Sequence, residues 1–343
     1  MLVQPSYPDN PILVRARRGS PSDAATESVH RGTWVRCDAS GQVLEGSGHH
    51  AHPIFARSAV KVLQALPLIE SGAADRYGFG DGELALALAS HNAEPVHTAG
   101  VAHMLESVGL KTTDLRCGSA PPGDRKTREA MICAGERFGP EHHNCSGKHA
   151  GFLALASHLG VAPADYLKPD CTSQQAVRAA VLEMTGLEPD QLGVAVDGCS
   201  APTFRMPLQA LATAFARVMR PAAFGATRTA TCERLVHAAR QHPGHIAGRH
   251  KRICTTILEA SGGRLFPKLG AEAVYAVGDS RSGEAFAVKM DDGGLRGLHA
   301  VVVELLRRFD WLDTAGLRAL DGYREAILKN AAGLEVGFLE VEL

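Results

Sequence analysis

No Cys-x-x-Cys pair occurs in the sequence, although eight cysteines are scattered through its 343 residues. A chain this long buries an ample core without covalent staples, so most of these thiols should be reduced and packed as small hydrophobes. One or two remain available as ligands. An excess of charge is missing too: 36 Lys and Arg stand against 37 Asp and Glu. No basic face is implied, which leaves nucleic acid and anionic membrane surfaces without support as partners. No run of about 18 apolar residues exists, so no membrane-spanning helix is expected. The opening "MLVQPSYPDN" is polar and Pro-rich and lacks the apolar stretch of a secretory signal, so a cytoplasmic chain is expected. Repeats and low-complexity linkers are absent. What is present is ordinary for a soluble globular protein, with 45% apolar residues.

Strand signals open the chain. "PILVRARRG" and "ESVHRGTWVRCD" carry β-formers, and "DASGQVLEGSG" supplies a turn and a return strand. Helical periodicity dominates from Ser58: "SAVKVLQALPLIESG", "DGELALALAS", "AEPVHTAGVAHMLESVG", "KHAGFLALASHLG", "TSQQAVRAAVLEMTG", "PLQALATAFARVM" and "RICTTILEASGG". The glycines that close several of these segments suit helix C-caps. Near the end, "AVYAVG" and "EAFAVKM" flank "DSRSG" as a β-hairpin, and "HAVVVELLRRF" reads as a late helix. "LRCGSAPPGDRKTREAM" reads as an exposed loop, because Pro, Gly and charge cluster there. Strands at both ends with helices between predict an α/β fold of the α+β type, with terminal strands in one sheet and helices covering it. We read residues 1–343 as one domain, with room for a helical subdomain in the middle.

Four segments carry chemistry. In "RSAVKVLQALP", Ser58 and Lys61 are three residues apart and share one face of a helix. Ser-x-x-Lys is the nucleophile–base arrangement of serine β-lactamases and penicillin-binding proteins. It requires a neutral lysine, a drop of about 3 pKa units, or roughly 4 kcal/mol, which burial or a second cation must supply. The plainer reading is a helix-capping serine with a lysine snorkelling from the same helix. In "ALALASHNAEPVH", Ser90 ends an apolar run, with His91, Glu94 and His97 after it; the plainer reading is a helix end followed by a new helix with Asn92 as its cap. "EHHNCSGKHAGFL" joined to "VDGCSAPTF" offers Cys145 and Cys199, with Lys148 one turn from the first and His142, His143 and His149 nearby. Two thiolates suit zinc, whereas lysine must first lose a proton to bind it. The plainer reading is two buried cysteines and a helix start. Lys268, in "GRLFPKLGAEAVYAVG", reads by itself as a solvated loop lysine, and Asp197 in "VDGCS" as a turn residue.

Taken in order, "RSAVKVLQALP", "ALASHNAEPVH", "NCSGKHAGFLA", "VDGCSAPTF", "KLGAEAVYAVG" and "AFAVKMDDG" resemble the rhizobial-type, class 3 L-asparaginases, the asparaginase II family, from about Val29 to the end. "NCSGKHAG" is the most specific part of the resemblance. It implies a fold similar to serine β-lactamases and glutaminases, an antiparallel sheet packed by helices. It implies two catalytic Ser–Lys pairs, Ser58 with Lys61 and Ser90 with Lys268. It also implies a zinc site at Cys145, Lys148 and Cys199, with Arg57, Asp197 and His149 toward the substrate, Cys254 near the site, and a homodimer. Ala56, Val62, His143 and Ala273 depart from the residues common at those positions, and "CGSAPP" lacks a histidine often found there; none of these touches the implied Ser, Lys or Cys set. The expected reaction is hydrolysis of L-asparagine to L-aspartate and ammonia. The alternatives are glutamine, β-lactam or D-amino-acid amide substrates at the same site, or a non-catalytic zinc- or ligand-binding protein.

Overall fold

The computed structural model describes residues 8–324 and 327–343; most of the polar opening stretch lies outside the described residues. Its main sheet is antiparallel. Strands β1 (Ile12–Arg18), β2 (Ala25–Cys37) and β3 (Val43–Ser47) begin it. A second, three-stranded sheet is built from β4 (Pro53–Phe55), β5 (Gly193–Val196) and β6 (Pro202–Pro207), in the order β4-β6-β5. The main sheet is completed by β7 (Leu265–Gly270), β8 (Val274–Asp279), β9 (Glu284–Met290), β10 (Ile327–Lys329) and β11 (Glu335–Val341). Its order is β10-β11-β1-β2-β9-β8-β7, with β3 beside β2. The two ends of the chain therefore share one sheet, as the strand signals predicted.

Every residue of β8 is buried, so side chains on both faces of the sheet are covered. Helices Leu208–Met219 and Leu295–Arg308 both pack against it. The second buries Leu298, Val301, Val302 and Leu305, the i, i+3, i+4, i+7 stripe of an amphipathic helix. Truncating Leu298 or Leu305 to alanine would cost about 2–5 kcal/mol. Helix Lys61–Glu70 is central, buried at every position from Lys61 to Leu68. It packs against helices Asp81–Leu88, Ser146–His158, Thr172–Thr185 and Gly225–Gln241.

Three readings are corrected. Lys268 is not a solvated loop residue: it lies on β7 and is 1% exposed. The predicted loop is only partly one, since Arg125–Cys133 is a helix whose N-cap Asp124 accepts from Thr127 N. Asn92 is not the cap after Ser90; Glu94 occupies that position before helix Pro95–Ser107. Helix Gly225–Gln241, strands β5, β6 and β10 and the closing strand β11 carried no signal that the sequence reading used. That helix is polar almost all round, and its buried stripe of Arg228, Cys232, Leu235 and Ala239 includes an arginine paired with Glu70.

Candidate active site

A short 3-10 turn, Arg57–Val60, leads from β4 into helix Lys61–Glu70. Arg57 opens it with φ 48°, a left-handed backbone that costs a non-glycine residue about 1–2 kcal/mol. The strain is held in place from outside. Arg57 Nε donates to Asp197, and Ala56 N donates to Phe204 O at 2.9 Å. Strand β7 passes directly against the turn. A Cβ at Gly270 would lie 2.8 Å from Ala56 O and 3.2 Å from Ala59 N, so only glycine permits the approach. That approach brings Lys268, two residues earlier, into the interior.

Ser90 follows helix Asp81–Leu88 on a segment that is neither helix nor strand. Its hydroxyl sits between two amines: Lys61 Nζ at 3.1 Å and Lys268 Nζ at 2.9 Å. Lys61 also donates to Ala89 O and lies 3.3 Å from Cys145 Sγ, while Lys268 also donates to Leu269 O at 3.0 Å. Burial draws the amine of Lys268 down to about 7, and the charge of Lys61 adds to that. Burial also lowers Lys61, against the pull of the Cys145 thiol. Two amines sharing one hydroxyl in a dry interior cannot both stay charged, so one is available to accept a proton.

The sulfurs form the adjoining layer. Cys145 caps helix Ser146–His158, and Cys199 lies in the turn between β5 and β6. Lys148 Nζ donates to Cys199 Sγ at 3.1 Å, and Cys199 Sγ donates to Asp197 Oδ2 at 3.2 Å. A hydrogen bond from Cys199, then the charges of Lys61 and Lys148, hold Cys145 well below the ordinary thiol value; that same bond pushes Cys199 up. Burial would lower Lys148, but the two thiols outweigh it and its amine sits above the usual value. One donor atom each from Cys145, Asp197 and Cys199 lies within 4.8 Å of the others. Two sulfurs and a carboxylate at that spacing fit zinc, and Lys148 would have to release its proton to join them.

The structure thus gathers Lys61, Ser90 and Lys268, and beside them Cys145, Lys148, Asp197 and Cys199. It does not hydrogen-bond Lys61 to Ser58: the amine turns to Ser90 instead, and Ser58 stands half-exposed in the turn. His149 is fully buried, its Nδ1 accepting from Tyr166 OH at 2.6 Å, and its Nε2 has no partner among the described residues. Cys254 Sγ meets Tyr275 OH at 3.2 Å. A cleft of about 650 Å³ opens beside Arg57 and Gly198, walled by Phe55, Arg205, Glu272 and Lys289. The sequence reading missed Arg252, which donates to the carbonyl of Ser90 at 2.7 Å. No local signal marks it, because it precedes a helix like any N-terminal arginine.

The family model described as L-asparaginase II matches residues 16–341 of the chain. No curated protein matches it. Among solved structures, the chain is similar to a β-lactamase from Mycobacterium bovis at 16% identity and a TM-score of 0.43, covering 81% of this chain and 94% of that one.

Proposed function

The chain belongs to the L-asparaginase II family, and we propose that it hydrolyses the side-chain amide of L-asparagine to L-aspartate and ammonia through a serine nucleophile with lysine bases. The observation that carries the reading is Ser90 Oγ held at 3.1 and 2.9 Å by two buried lysines, one of them lowered to about 7. Substrate enters by the cleft at Arg57. Ser58 attacks the amide carbonyl carbon, and its proton passes to Lys61. Backbone N–H groups meet the oxyanion. As the C–N bond breaks, lysine returns a proton to the departing nitrogen, and ammonia leaves an aspartyl ester. Water, deprotonated by the same amines, then cleaves the ester and restores the serine. Ser90 and Lys268 relay protons during both steps. Cys145, Lys148 and Cys199, with Asp197 beside them, would hold zinc, which would order the loop and position substrate. Arg57 and His149 support the substrate side of the site. The protein works as a cytoplasmic homodimer with a small-molecule substrate.

One observation favours a second reading of the nucleophile: both lysines touch Ser90, and neither is bonded to Ser58. In that reading Ser90 carries the acyl group and Ser58 assists. Ammonia release from L-asparagine, with L-glutamine in parallel, tests both readings in the wild type, Ser58→Ala and Ser90→Ala. Mass spectrometry of acid-quenched enzyme locates the aspartyl ester. We expect activity on asparagine, loss of at least about 1,000-fold in Ser58→Ala, and the ester on Ser58, since removing a nucleophile leaves only residual catalysis. An ester on Ser90 with an active Ser58→Ala establishes the second reading. Folded, zinc-replete wild type that releases no ammonia from either amide overturns the asparaginase reading.

A further inference from the structure

The segment from Ser90 to Glu94 has no regular structure to hold it, yet its residues are nearly all buried. Ala93 within it has φ 58°, an unfavourable backbone for a residue with a side chain. Something outside the segment must fix it. Ser90 N donates to Ile246 O at 2.9 Å, and Asp124 N donates to Asn92 O at 2.9 Å. The carbonyl of Ser90 accepts from Arg252 Nη2 at 2.7 Å, and Asn92 Oδ1 accepts from Arg252 Nη1. The planar guanidinium thus spans two acceptors two residues apart, a grip that one ammonium cannot reproduce.

Arg252 pays for this position, because among the described residues no carboxylate lies within ion-pair distance of it. A partly buried cation with no ion-pair partner is costly, and stability alone does not favour it. Two further features draw the segments together. Arg249 N donates to Glu94 Oε1 at 2.9 Å. A Cβ at Gly248 would lie 2.6 Å from Asn92 Nδ2, so the two segments meet at glycine distance.

We propose that Arg252 is a positioning residue, whose two-point grip on Ser90 and Asn92 keeps the Ser90 hydroxyl between the amines of Lys61 and Lys268. The inference rests on the serine–lysine reading of this site. Its charge acts in the same direction as its geometry, since it adds to the cations that disfavour a proton on Lys268. Its effect is expected on proton transfer, because Arg252 contacts the carbonyl of Ser90, the residue whose hydroxyl both lysines hold.

The test compares full-length wild type, Arg252→Lys and Arg252→Met in steady-state ammonia release, with melting temperature measured alongside. Arg252→Met should lower kcat by about 100-fold with KM changed less than threefold. Arg252→Lys, which restores charge and one hydrogen bond, should recover about tenfold of that loss. A folded Arg252→Met with kcat within threefold of wild type overturns the proposal. So does a loss carried wholly by KM, or an Arg252→Lys no better than Arg252→Met. Should Arg252→Met fail to fold, the kcat and KM of Arg252→Lys decide alone: unchanged kcat overturns the proposal. An inert wild type refutes the amidohydrolase reading, a result distinct from an active wild type with indifferent Arg252 variants.

Discussion

A lysine in water keeps its proton to about pH 10, and Lys268 cannot do so where it sits. Burial and the charge of Lys61 bring it to about 7, so at neutral pH a large fraction is free to accept a proton. The sign of the pH dependence follows. Below about pH 7 the amine is charged and cannot act as a base, so kcat/KM should fall about tenfold per unit in the acid limb. Lys268→Arg carries a permanent charge and should lose at least about 1,000-fold at every pH, which a rate profile from pH 5 to 9 checks. The folded value lies below the unfolded value of 10.5, so the unfolded chain binds the extra proton between about pH 7 and 10.5. This group therefore penalises folding fully below pH 7, and the penalty is relieved as pH rises through that window. Ser58 and Lys61 were legible as a Ser-x-x-Lys pair by spacing, with a plainer reading beside it, whereas the pairing of Ser90 with Lys268 was legible only through the resemblance. By itself Lys268 read as a loop lysine, because one cation in a short apolar strand gives no periodic signal. Arg252 was not legible at all: what distinguishes it is a contact with a residue 162 positions away.

Among the elements, β7 and the turn Arg57–Val60 fit together through Gly270. Gly270→Ala would put a methyl 2.8 Å from Ala56 O, against backbone that cannot swing aside. Crowding of this kind costs about 1–3 kcal/mol. We expect kcat to fall at least about tenfold, with the melting temperature lowered by only a few degrees, since the displaced element is the one that carries Ser58. Kinetics and thermal melts on the same preparation test this. Elements whose apolar residues repeat cleanly, such as Leu295–Arg308 and the β8–β9 hairpin, were legible in sequence. Gly225–Gln241 was not, because its buried stripe contains an arginine whose charge is met by Glu70 from another helix. Strand β6 was not, because prolines at both ends and a short length give little alternation to read.

On the scale of the whole molecule, two segments far apart in the chain, one with Cys145 and one with Asp197 and Cys199, converge on a single cluster. We expect purified protein to hold close to one zinc per chain, measured by elemental analysis, and Cys199→Ser to hold much less. Chelation should lower the melting temperature and added zinc restore it, since a ligand at 100 times its Kd stabilises by about 2.7 kcal/mol. A metal content unchanged in Cys199→Ser would refute the assignment. The sequence by itself determined that terminal strands join one sheet, that helices cover it, and which family the segments follow. These depend on local periodicity, caps and turns, which short stretches of chain encode. Only the tertiary structure decided that Lys61 turns to Ser90 and not to Ser58, that Lys268 is buried, and that Arg252 grips the segment between them. Those facts depend on desolvation and on contacts between residues far apart in the chain, and neither is written in any single stretch of it.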